Sequence, residues 1–206
     1  MIKALTSLKK KDKLELHRGV TRLCIVDFDS QHCKDGGVRI RGCWAYNNQD
    51  PPIMDNGLPP KSVNISCSSP IDLRFATFNL CVWEKNGVSQ CDALLFPAKD
   101  DADDAVLLVE TKYVTSDSEY TLKEAKDKAL KQIKDTLNEL KIRQAPIEKR
   151  EAYGLISFPV LDTVSATLIS PNELREIYET DNIRISIGNY AYYESPKNIK
   201  FAKDTP

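Results

Sequence analysis

Near the middle of the chain, Ala105-Val106-Leu107-Leu108-Val109 places five apolar residues in a row. A run without polar alternation predicts a strand over 105–114 that is covered on both faces. Two further strands are expected before it, over 76–84 and 88–96, joined by Asn86-Gly87, the dipeptide a tight hairpin turn prefers. That turn would set Cys81 opposite Asp92. After the central strand, Leu122, Ala129, Leu130, Ile133, Leu137 and Leu140 keep a 3.6-residue stripe. They predict a helix capped by Ser116, Ser118 or Thr121 and unable to pass Pro146. A strand over 153–160 follows. Ser170-Pro171-Asn172-Glu173 then forms a capping box with Pro at the first helical position, opening a helix to about Glu179. The last expected strand covers 183–193.

Upstream the pattern is less regular. Ile2, Leu5, Leu8 and Leu14 among lysines predict an amphipathic helix over 2–17, and VTRLCIVD a strand over 20–27. Residues 28–70 hold Gly36-Gly37, Asn47-Asn48, Pro51-Pro52 and Pro59-Pro60, which punctuate against long helices. They read as a loop-rich insertion or flap with short strands such as 37–44. From Ala76 the order is β-β-β-α-β-α-β, a mixed α/β sheet flanked by helices, with the first helix a plausible crossover to a parallel neighbour. No linker breaks the chain, so 1–206 is expected as one domain. Within it, 71–160 forms the core and 161–206 adds a C-terminal helix and strand.

Composition narrows the classes. The 206 residues are 41% hydrophobic and carry 29 Lys+Arg against 30 Asp+Glu, too apolar for disorder and too balanced for a polycation. No apolar run approaches the ~20 residues of a membrane helix. Residues 1–13 lack a secretory apolar core, which predicts a cytoplasmic protein with no membrane partner. Six cysteines at irregular spacing, without CxxC, read as reduced and mostly buried thiols. Cys24, His32, Cys33 and Cys43 lack the pairing of a structural zinc site. His17 and His32 have no nucleophile pattern beside them, and no phosphate-binding glycine motif occurs.

One constellation carries chemistry. The central run ends in Glu110-Thr111-Lys112, and residues two apart on a strand share a face. Asp92 is the one acid inside the apolar stretch CDALLF of the preceding strand. Carboxylates in buried strands are costly unless paired or bound to metal. If the two strands are neighbours, Asp92 and Glu110 converge with Lys112 beside them. Such hard oxygen ligands suit Mg²⁺ or Mn²⁺, with substrate phosphate completing the shell. A bland reading of the same residues is an internal ion pair that fixes register.

An Asp on one strand, an acid-x-Lys triplet on the next, then a helix and a strand, resembles the PD-(D/E)XK nuclease superfamily, the restriction-endonuclease-like fold. Cys91-Asp92 stands where that family writes Pro-Asp, and Glu110-Thr111-Lys112 matches its triplet; 17 residues separate Asp92 from Glu110. The resemblance covers 76–160. It implies Mg²⁺-dependent hydrolysis of nucleic-acid phosphodiesters, of DNA since most of the family acts on DNA. It also implies Asp92 and Glu110 as metal ligands, the Thr111 carbonyl as a further ligand, and Lys112 as the catalytic lysine. Some branches carry a Gln and then a Tyr on the following helix; Gln132 is present, but Thr136 stands in the second position. The acid that many members place on an earlier helix has only Glu15 as a candidate. A homo-oligomer or larger complex is a further expectation. The alternative function is a non-catalytic binding or assembly protein that keeps a degenerate form of the fold.

Other features are weaker. Residues 121–150 hold nine Lys+Arg against five Asp+Glu and residues 1–20 six against two, excesses that could track a phosphate backbone, although a solvated helix face is the default. Asp100, Asp101, Asp103 and Asp104 lack the pattern of a calcium loop and read as a solvated turn. Trp44, Tyr190, Tyr192 and Tyr193 could stack on bases, but at strand spacing they read first as packing residues.

Overall fold

The computed structural model describes residues 1, 5, 14–28, 34–35, 38–39, 42–54, 57–78, 88–161 and 168–201. The chain is α/β with a mixed sheet of nine strands, and sheet dominates. The strands are β1 (Leu14–Asp27), β4 (Cys43–Asn47), β5 (Val63–Thr77), β6 (Ala93–Pro97), β7 (Val106–Thr111), β8 (Ala152–Ser157), β9 (Ile183–Ile187), β10 (Tyr190–Ser195) and β11 (Asn198–Lys200). Two short strands, β2 (Lys34–Asp35) and β3 (Val38–Arg39), pair with each other. The helices are α1 (Glu119–Ile142) and α2 (Pro171–Asp181). Among the described residues, no helix is long and apolar enough to cross a membrane.

The sheet runs β11-β10-β5-β6-β7-β8-β9, with β1 along the other edge of β5 and β4 outside β1. β5, β6 and β7 are antiparallel neighbours; β7, β8 and β9 are parallel. α1 is thus the expected crossover between parallel strands. β5 is long enough to serve two halves of the sheet, pairing with β10 over 64–67 and with β6 over 73–77. Bulges in β1 around Gly19, whose φ is +57°, let it follow the bend.

This bend gives β7 cover on both faces. Leu107 and Val109 join Leu95, Phe75 and Leu155 against Leu23, Ile25, Val63, Ile65 and Tyr193 of the folded-over half. Val106 and Leu108 join Leu94 and Ile156 against Ala129, Ile133, Leu137 and Leu140 of α1. Gly154 of β8 permits this second contact. A Cβ there would stand 2.4 Å from Ile185 Cδ1 and 3.1 Å from Ile133 Cγ2. Of the three candidate caps, Ser118 is the one used, its Oγ accepting the Thr121 N–H at 3.2 Å. α2 is capped by Ser170 as expected and ends on Asn182 at φ +54°.

Several expectations change. Residues 14–17 are strand rather than helix, because they pair with residues 73–76 of β5, whose backbone needs a partner there. The expected strand over 76–84 ends at Thr77, and Thr77 lies opposite Ala93. A turn at Asn86-Gly87 would have put residue 80 there, so the hairpin register is three residues off; Asn86, Gly87 and Cys81 lie outside the described residues. Residues 28–70, expected as a flap, contribute β4 and the first part of β5 to the main sheet. The strand over 183–193 is two strands, β9 at one end of the sheet path and β10 next to the other end. Lys126 is buried rather than solvated, bonded to Glu173 at 2.9 Å. The acidic turn is partly enclosed: Asp104 is buried, and Asp100 pairs with the buried Arg150 at 2.7 Å. Tyr193 is core, while Tyr190 meets the Ser66 hydroxyl. Cys24, Cys43, Cys67 and Cys91 are free thiols, as expected.

Only Gly188-Asn189 joins β9 to β10, a reach of at most about 11 Å from Ile187 to Tyr190. The sheet is therefore rolled until the end of β8 meets the start of β5. Gly188 N–H donates to Ile156 O at 3.0 Å, and Asn64 N–H to Asn189 O at 2.9 Å. The Asn189 amide completes the joint, accepting from Ser157 Oγ at 2.6 Å and Phe158 N–H at 3.0 Å. Asn189→Ala strands the Phe158 N–H in a buried place and is expected to cost about 2 kcal/mol in urea unfolding; an unchanged midpoint would show the joint to be dispensable.

Candidate active site

The β6–β7 register continues past its last bonded pair to put Asp92, one residue before β6, opposite Glu110. The two strands are neighbours, the condition on which the sequence reading rested, and the Asp92 charge acts on Glu110. Thr111 fixes Asp92: its N–H donates to Asp92 Oδ2 at 2.8 Å, and its hydroxyl donates to the same oxygen. Thr111, expected through its carbonyl, thus acts here through its N–H and hydroxyl.

Lys112 follows the last residue of β7, tied to β8 by its N–H to Ser157 O at 2.7 Å. Its ammonium donates to Glu110 Oε1 and, at 2.7 Å, to Gln132 Oε1. Gln132 is therefore part of the constellation rather than a solvated helix residue. Its Nε2 reaches on to Gln90 O at 2.7 Å. One turn along α1, Thr136 Oγ1 accepts the Cys91 N–H at 2.9 Å. Gln132 and Thr136 together clamp the two residues that precede Asp92. The position where the resembled family places Tyr has been given to this short clamp.

Burial sets the electrostatics. It pushes the Asp92 carboxyl up to about 6, with the charge of Asp27 adding to the effect and the Thr111 bonds opposing it. Burial also holds Glu110 well above the usual range, and the Asp92 charge reinforces this against Lys112. Glu110 Oε2 is buried without a hydrogen-bond donor among the described residues.

Asp27 was not legible as a site residue. It closes β1 after Ile25-Val26, the same signature of an acid ending an apolar run that drew attention to Glu110. It is 8% exposed and comes from the folded-over half of the sheet. Its N–H donates to Tyr113 Oη at 3.2 Å, and Tyr113 Oη donates to Lys61 O at 3.2 Å, so the layers are stitched beside the carboxylates. Glu15, the earlier candidate for an added acid, instead lies 3.4 Å from His17 Nε2.

The donor set is oxygen-rich and hard, and the unmet Glu110 oxygen fits a cation held jointly with Asp92. No group of three or more His, Cys, Asp or Glu among the described residues is arranged to hold a metal, so protein atoms would leave much of the shell to water and substrate. Neither the zinc grouping nor the acidic turn gains support; His32 and Cys33 lie outside the described residues. Of the nine basic residues in 121–150, Lys126, Lys131, Lys134, Arg143 and Arg150 are held in ion pairs. Compared with known proteins, the chain matches no family model, no curated sequence and no solved structure.

The raised Asp92 carboxyl has a signed consequence. The folded protein binds a proton that the unfolded chain releases above its ordinary value near 3.8. Stability therefore drains away as pH rises from about 4 to 6. In chelator-treated protein, the melting temperature of Asp92→Asn minus that of wild type is expected to grow across this interval and level off above it. A constant difference would show that Asp92 titrates normally.

Proposed function

We propose that the chain is a Mg²⁺-dependent nuclease of the PD-(D/E)XK kind, with a restriction-endonuclease-like core, acting on DNA. The observation that carries this reading is the meeting of Asp92, Glu110, Lys112 and Gln132 at the carboxyl end of β7. A mixed sheet whose parallel strands are joined by α1 supports it. So does the placement outside strand carboxyl ends, where open α/β sheets gather ligands.

Asp92 and Glu110 would hold the cation, which when bound neutralises phosphate charge and acidifies water. Lys112 has three N–H donors, of which Glu110 and Gln132 take two. The third is left for a phosphate oxygen or the attacking water, and the ammonium stabilises negative charge gathering on phosphorus. Gln132 and Glu110 keep that donor aimed. Lys128, one turn before Gln132 on α1 and holding no ion pair among the described residues, offers the phosphate backbone a positive charge.

The second reading, a binding or assembly protein that keeps the fold without cutting, is favoured by one observation: Lys112 already holds one Glu110 oxygen and Thr111 one Asp92 oxygen. Two measurements separate the readings. Purified protein given linear and supercoiled DNA, with RNA alongside, should cut only with Mg²⁺ or Mn²⁺. Asp92→Ala, Glu110→Ala and Lys112→Ala should each lose about 100-fold or more. Nucleic-acid binding without metal-dependent cutting selects the second reading. Independently of turnover, Mg²⁺ at about ten times its dissociation constant should stabilise wild type by about 1.4 kcal/mol. It should leave the Asp92→Ala, Glu110→Ala double variant unmoved.

A further inference from the structure

A second feature lies at the other end of β6 from Asp92, five residues or about 17 Å of strand away. There a cavity of about 730 Å³ opens between β1, β5 and the β10–β11 turn. That volume suits a small organic ligand. Its apolar wall includes Ile71, Pro70 and Pro97, and Arg18, Arg74 and Lys99 also line it.

Several of the charges there have no partner among the described residues. Arg18, Arg74 and Lys99 hold no ion pair among the described residues. Arg74 sits mid-strand in β5, between Leu16 and Phe96 of its neighbours, and its Nε is buried with no acceptor. A buried, charged donor without a partner is costly and asks for an explanation. Two of the acids there accept backbone N–H groups and keep their charge. Asp72 accepts the Gly19 N–H and Asp104 the Asp101 N–H, each at 2.8 Å. Lys197 is occupied by Asp103. Three cations therefore face three carboxylates, those of Asp72, Asp101 and Asp104, and the Arg74 Nε is the charged donor left without an acceptor among the described residues.

We propose that this cavity binds a small organic phosphate. The phosphate accepts from the Arg74 guanidinium, with Arg18 and Lys99 balancing its second charge, and the organic body rests on Ile71, Pro70 and Pro97. A planar guanidinium matches a phosphate edge with paired donors, which a neutral or cationic ligand cannot use.

Calorimetric titration of the full chain with phenyl phosphate, and with phenol as the uncharged control, tests the assignment. Saturable binding of phenyl phosphate alone is expected, weakened about tenfold or more by Arg74→Gln. The exposed pair Lys99→Gln and Arg18→Gln, which leaves the core untouched, should weaken it severalfold. Asp92→Ala should bind as wild type does, so loss of nuclease activity and loss of this site are separable. Absence of saturation by about 10 mM, equal binding of phenol, or equal affinity in the arginine and lysine variants would overturn the proposal.

Discussion

Covering β7 on both faces dictates most of what surrounds it. Leu107 and Val109 require the folded-over β1–β5 layer, while Val106 and Leu108 require α1. Burial of that kind is the main favourable contribution to folding. It carries a penalty at the strand's polar end, because Glu110 is enclosed by the same layers that enclose its apolar neighbours. Lys112 and Gln132 offset only part of that penalty, since one Glu110 oxygen remains unmet.

The residues around Asp92 are held with more care than stability alone asks for. Thr111 fixes the carboxylate itself, and the α1 pair Gln132 and Thr136 fixes the two residues before it. Asp27 then adds a third negative charge from across the layers rather than relieving the first two. Rigid support combined with unfavourable electrostatics is what the proposed cation site would require.

Features encoded locally could be read from residues alone. The doubly buried run, the α1 stripe, the Ser170 capping box and the shared face of Glu110 and Lys112 all depend on spacings of four residues or fewer. What escaped reading depends on partners distant in the chain. Asn86-Gly87 announced a hairpin, yet β5 reaches β6 with its last five residues because the first part of the same edge is claimed by β10. Lys-rich residues before β1 suggested a helix, but Leu14 to His17 met an open strand edge instead. Asp27 had no spacing to betray it, since its nearness to Asp92 exists only after the sheet has bent. Lys126 looked solvated until Glu173 of α2 came to lie beside it.

The joint at Gly188-Asn189 also limits how this architecture can change. Most surface connections absorb added residues at small entropic expense, because closure grows only slowly with length. Here the two residues span the seam of the roll while their own amide groups knit both sides. A longer segment would uncouple the ends of β8 and β5 and let the roll relax. Variation in length among descendants of such a chain should thus gather away from this seam, leaving it as a fixed landmark.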